Sequence, residues 1–168
     1  MPRYPMTPEC YDRLKEELDW RKGFERPAIS QQIETAREHG DLKENAEYHA
    51  AKDKQGLAEA RIRQLEAKTV LAQVVDPMTL KGGRVSFGAT VKVFDIDEDV
   101  EAVYKIVGDE ESDFRHKLLS YMSPIARGLM GKEEGDEVQV AVADGKRKFE
   151  ILEVEFKEIE LVPRKTWG

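Results

Sequence analysis

Residues 36–51 read Ala-Arg-Glu-His-Gly-Asp-Leu-Lys-Glu-Asn-Ala-Glu-Tyr-His-Ala-Ala, and this stretch decides the fold. Gly40 sits in it as a helix stop, because glycine readily takes the left-handed conformation that closes a helix. Upstream, apolar residues recur at Tyr11, Leu14, Leu18, Ala28 or Ile29, Ile33 and Ala36. Downstream they recur at Ala46, Ala50, Leu57 or Ala58, Ile62, Leu65 and Ala72. Steps of three and four place each set on one helical stripe. Two amphipathic helices joined by so short a turn fold back on each other. Residues 1–76 are therefore predicted to form an antiparallel coiled-coil hairpin with an acidic tip. Its second arm, about Leu42 to Val74, would be roughly 45–50 Å long at 1.5 Å per residue.

The first arm opens at Met6-Thr7-Pro8-Glu9. Thr7 suits a cap, Pro8 the first helical position, and Glu9 the positive end of the helix dipole. Pro27 interrupts the pattern, since proline lacks the N–H a helix interior uses. A kink or short break is expected near Gly23 to Pro27, with helix on both sides.

Beyond Asp76-Pro77 the texture changes to β. Residues 85–87, 90–94, 103–107, 138–142 and 149–154 read as strands. Residues 149–154 alternate apolar and charged, as an edge or one-face-exposed strand does. Ser123-Pro124 opens a short helix with a capping serine and a proline at its first position. Several strands and one helix predict a small α+β domain over 77–156. The tail, 157–168, lacks a period and reads as a disordered end.

Charged residues make up 36% of the 168-residue chain, well above the roughly 25% usual in globular proteins. A long exposed helical element accounts for such an excess. The net charge of −7 argues against direct, non-specific binding to a phosphate backbone, which needs a basic footprint. Action on nucleic acid would then pass through a protein that holds it. Cys10 is the single cysteine, so neither an internal disulfide nor a cysteine-based zinc site is available. Residues 1–10 lack the apolar run of a signal peptide, and no stretch approaches the length needed to span a bilayer. A cytoplasmic location is expected.

Asp41 and Glu44 lie three residues apart where the second helix is predicted to start. That spacing puts two carboxylates near one end and side of a helical turn. Carboxylates are hard oxygen ligands suited to Mg²⁺, which binds few protein groups and keeps several waters. The same Asp-x-x-Glu also spells a capping box, and spacing alone favours the cap. The roles can coexist, because a carboxylate has several lone pairs. His39 and His49 lack a metal-ligand pattern and read as surface or packing residues.

Residues 36–51 closely resemble the tip of the Gre family of bacterial transcript-cleavage factors. Residues 123–138 (SPIARGLMGKEEGDEV) and 87–93 (FGATVKV) resemble that family's C-terminal domain, in the family's order. The similarity covers about Pro5 to Phe156; the tail departs from it. The resemblance implies a hairpin that enters the secondary channel of RNA polymerase when the enzyme has backtracked. Asp41 and Glu44 match the family's two key acids, which help hold a second Mg²⁺ and a water that cleaves the nascent RNA 3′ end. Asp41 is assigned chiefly to the metal and Glu44 to metal or water positioning. The metal is shared with polymerase, so the chain is expected to bind none stably alone. It is expected to be no enzyme by itself, but to stimulate the hydrolysis intrinsic to polymerase.

Arg37 and Lys52 match basic positions near the RNA or the channel, and also read as ordinary solvated helix charges. Asn45 and Tyr48 match the tip and also suit bracing it. The C-terminal domain is implied to resemble FK506-binding proteins in fold and to dock on the channel rim, with Ser123 and Pro124 in the docking loop. Fold likeness does not confer isomerase activity. The free protein is expected to be a monomer. A competing reading is a Gre-like inhibitor that plugs the channel without cleavage, though a plug does not require both acids.

Overall fold

The computed structural model describes residues 3–163 and 167–168. The chain divides into two units. One holds residues 11–72 together with Trp167 and Gly168, and the other holds residues 3–10 and 73–163.

The helical unit is built from α1 (Pro8–Trp20), a π-helical turn (Arg21–Glu25), α2 (Arg26–Arg37) and α3 (Ala46–Val70). The predicted interruption at Gly23–Pro27 is a widened turn within a continuous helical path, not a break. The Arg26 N–H bonds the Arg21 carbonyl, five residues back. This turn also corrects the phase of the stripe. Glu17 and Ile29 are both buried, yet twelve residues of regular helix would leave them roughly 120° apart. One extra residue in the turn brings Ile29, rather than Ala28, into line with Ile33 and Ala36. Proline is tolerated immediately after it, at the start of α2.

On α3 the buried residues are Ala51, Ala58, Ile62 and Leu65. Of the predicted stripe, Ala58, Ile62 and Leu65 hold, whereas Ala46 and Ala50 are exposed and Leu57 is 75% exposed. The helix is also shorter than the predicted arm. At 25 residues it spans roughly 37 Å. Residues 41–45 form the tip loop, and Ala72–Val74 form β2, which pairs with β1 (Tyr4–Met6). Across the hairpin, the Arg26 guanidinium makes a two-pronged contact with Glu59 at 2.8 and 2.9 Å. Deeper in the seam, both Arg21 and Arg61 donate to the buried Glu17 carboxylate at 2.7 Å.

The second unit centres on a five-stranded sheet in the order β5-β4-β3-β7-β6. Its strands are β3 (Thr90–Asp95), β4 (Val100–Val107), β5 (Leu118–Ser120), β6 (Glu137–Val142) and β7 (Gly145–Glu155), with helix α4 (Pro124–Leu129). Pairing is antiparallel except for β4 with β5. The mixed helix-and-sheet class predicted for the chain is therefore observed. β7 is an interior strand with one exposed face. Its register against β3 shifts between Lys92 and Val93, which explains why Ile151 and Val154, three apart, are both buried.

Two expectations fail here. Val85–Phe87 is not a strand: Val85 is buried and held by Lys132 and Gly131 through backbone bonds of 2.8 Å, and the chain then turns at Gly88, whose φ is +89°. Nor is the tail wholly loose, since Ile159 and Leu161 are buried. Arg164, Lys165 and Thr166 lie outside the described residues, as do Met1 and Pro2.

Ile125, Ala126 and Leu129 of α4 join Val91, Ile106, Phe149 and Ile151 of the sheet in one apolar core. Gly128 permits this packing: a Cβ there would lie 2.6 Å from Val140 Cγ2. Because Val140 is β-branched and stiff, Gly128→Ala should destabilise this unit by about 1–3 kcal/mol, read as a lower denaturant midpoint. Asp95, buried at the end of β3, pairs with Arg147 and accepts from the Asp97 and Glu98 amides at 3.1 Å. Among the described residues no helix is long and apolar enough to cross a membrane.

Candidate functional site

The tip is assembled from backbone caps first. At the end of α2 the amides of Glu38, His39 and Gly40 bond back to Thr35, Ala36 and Arg37. Gly40 takes φ +112°, a conformation that L side chains rarely adopt. Asp41 then accepts the Lys43 N–H at 2.9 Å, a local turn of the kind Asp side chains favour.

The helix cap belongs to Asn45, not Asp41. Asn45 Oδ1 accepts from the Tyr48 N–H at 3.1 Å, and its Nδ2 donates to the Ala36 carbonyl at 2.6 Å. One side chain thus starts α3 and satisfies a carbonyl at the end of α2. The predicted capping box at Asp41 and Glu44 is not formed; both acids precede α3. Asn45 is a favoured cap type, but the competing Asp-x-x-Glu pattern four residues earlier masked it. Asn45→Ala removes both bonds. It should cost about 1–2 kcal/mol, read as a lower thermal midpoint and faster amide exchange in α3's first turn.

Tyr48 is half-buried and packs with Ile29, Ile33, Ala51 and Ala58. The Arg37 guanidinium lies 5.9 Å from the Tyr48 ring centroid, within cation–π range. His49 Nε2 lies 3.0 Å from the Lys43 carbonyl, and His39 Nε2 lies 3.7 Å from Glu47. His49 therefore ties α3 to the loop, whereas the His39–Glu47 separation is too long for a hydrogen bond. Lys52, farther along α3, donates to Gln55 at 2.9 Å.

Asp41, Leu42, Lys43 and Glu44 are all exposed. Asp41 uses Oδ1 in its turn and keeps further lone pairs. Among the described residues no group of three or more His, Cys, Asp or Glu is placed to hold a metal ion. Two exposed carboxylates on a braced turn fit part of a Mg²⁺ shell, the rest being open to water or to a partner's ligands.

Ser123 and Pro124 belong to the other unit. Ser123 Oγ accepts the Ala126 N–H at 3.3 Å, so Ser123 caps α4 and Pro124 occupies its first turn. Pro124 is exposed, and exposed apolar side chains of the same unit include Phe114 and Met122, at 58% and 57%.

Comparison with known proteins places these features in a family. Residues 4–74 match a model described as transcription elongation factor, N-terminal, and residues 80–156 match transcription elongation factor, GreA/GreB, C-terminal. The chain is 54% identical over 155 residues to the transcription elongation factor GreA of Psychrobacter sp. (strain PRwf-1), covering 92% of this chain and 98% of that one. It is 51% identical over 156 residues to the GreA of Brucella anthropi, covering 93% and 99%. Among solved structures, the GreA factor homolog Gfh1 of Thermus thermophilus aligns with a TM-score of 0.43 and 22% identity, covering 92% of this chain and 99% of that one. With both halves matched and half of its residues shared with such relatives, the chain belongs to the GreA/GreB family of transcription elongation factors.

Proposed function

We propose that this elongation factor acts on bacterial RNA polymerase that has backtracked, entering its secondary channel tip first and promoting cleavage of the nascent RNA near its 3′ end. One observation carries the reading: Asp41 and Glu44 are exposed on the turn of a narrow hairpin whose ends are locked by Asn45. A carboxylate pair on a stiff rod can be delivered into a confined site without the chain refolding around it.

Within that complex Asp41 takes part in holding a second Mg²⁺, and Glu44 shares the metal or orients the attacking water. When bound, the ion lowers the pKa of a coordinated water and neutralises charge on the phosphate. The rest of its shell comes from polymerase and water, so the isolated chain is no nuclease and holds no ion stably. Asn45 and Tyr48 fix the loop that carries the acids. Arg37 and Lys52 supply positive charge along the flank, towards RNA or the channel wall. The C-terminal unit docks on the channel rim through the loop containing Ser123 and Pro124. The factor acts as a monomer, in the cytoplasm where its polymerase is.

The test is a backtracked elongation complex carrying end-labelled RNA, with Mg²⁺, with and without the factor, beside a control lacking polymerase. Short 3′ fragments that need both polymerase and factor are expected. Binding without faster cleavage would point to a channel plug instead, and fragments formed without polymerase would overturn the shared-site reading.

A further inference from the structure

The chain carries two tryptophans, and they meet. Trp20 ends α1, next to the π-helical turn, and Trp167 lies beyond the residues matched to the family. Their ring centroids are 5.8 Å apart and tilted by 40°. On the same ring system, Phe24 stacks on Trp20 at 5.8 Å and 27°, and the Arg21 guanidinium lies 5.8 Å from the Trp20 ring centroid. Trp20 thus gathers a stacked ring, a cation and the ring of Trp167.

The setting gives this cluster a task. A π-helical turn is rare and is found frequently at functional sites. This one also adjoins the buried Glu17 carboxylate bridging Arg21 and Arg61. Beside it runs an open groove of about 640 Å³, lined in part by Trp20, Phe24, Ala28 and Leu57. Phe24 and Leu57 are 64% and 75% exposed, so the hairpin presents an apolar face here. Trp167, itself half-buried, packs on the Trp20 ring that lines this groove.

We infer that Trp167 is an aromatic clamp: it docks on Trp20, the ring on which Phe24 also stacks, and holds the widened turn closed. The clamp adds a packed ring beside the point where the helix departs from regular geometry. Its effect is local, on the turn rather than on the acidic tip. It depends on the chain's own extension, so it operates within one molecule. This inference is independent of the reading proposed for Asp41 and Glu44.

The test uses the full chain with Trp167→Phe and Trp167→Ala, which leave Trp20 as the single tryptophan reporter, and a chain shortened after Pro163. Aromatic pairing of this kind supports roughly a twofold to tenfold change in a local opening equilibrium. Amide exchange over residues 17–28 should therefore rise by about that factor in Trp167→Ala and in the shortened chain, while residues 38–49 keep their rates. Acrylamide quenching of Trp20 should rise about twofold in the same two variants relative to Trp167→Phe, which retains a ring to dock. Equal exchange over 17–28 and equal quenching across all variants would overturn the clamp. So would differences that vanish on dilution, because they would place the docked ring on a second copy of the chain.

Discussion

Replacing Glu17 by alanine should destabilise the hairpin by about 2–3 kcal/mol. Glu17 is 4% exposed, and its carboxylate takes hydrogen bonds of 2.7 Å from Arg21, 2.7 Å from the Arg61 Nε and 2.9 Å from a second Arg61 nitrogen. Removing it leaves two guanidinium groups facing each other across the seam. Their side chains are 14% and 25% exposed, so water recovers part of the loss and the effect stays below that of a fully buried charge. The thermal midpoint should fall by roughly 5–10 °C. The layer also has a pH signature. Burial alone would raise the Glu17 carboxyl, but hydrogen bonds and charge from Arg61 and Arg21 outweigh it and hold it below its ordinary value of 4.5. Its stabilisation is therefore present above that value and is lost as pH falls through the depressed one. Glu17→Ala should flatten that acid limb. A variant as stable as the parent would show that the remaining partners, Glu25 for Arg21 and Gln64 for Arg61, suffice.

The second large effect is functional. Asp41→Asn and Glu44→Gln should each lower factor-stimulated RNA cleavage by about 10²-fold or more at limiting Mg²⁺, while leaving thermal unfolding within about 0.5 kcal/mol of the parent. Asparagine retains the oxygen that accepts the Lys43 N–H, and Glu44 is exposed, so neither change has a fold to break. Single-turnover cleavage rates beside melting curves separate the two readouts. Loss of cleavage together with loss of folding would assign the effect to structure instead.

The hairpin was legible because apolar steps of three and four converge from both sides on Gly40, and few other folds tolerate that pattern around so short a turn. The details that escaped have local causes. Alanines carry little phase information, so Ala46 and Ala50 looked as suitable as Ala51 and Ala58. Asp41 and Asn45 are both favoured caps, and only the bond from Asn45 to the Ala36 carbonyl decides between them. The widened turn was visible as the interruption expected near Gly23 to Pro27 and as a choice between Ala28 and Ile29, but a proline does not say that the helical path continues through it. In the second unit, β5 has three residues, too few for a periodic signal, and Val85–Phe87 has the composition of a strand without a strand to pair with. At the site, spacing alone favoured a cap over a metal site. The structure removes the capping box and leaves both acids exposed.

The most direct measurement is the Mg²⁺ dependence of cleavage in a backtracked complex, with the parent factor and with Asp41→Asn at saturating concentration. If the tip supplies part of a metal site, the half-saturating Mg²⁺ concentration should rise roughly tenfold or more in the variant, with cleavage partly recovered at high Mg²⁺. An unchanged half-saturating concentration, whatever the maximal rate, would contradict a metal-holding role for Asp41.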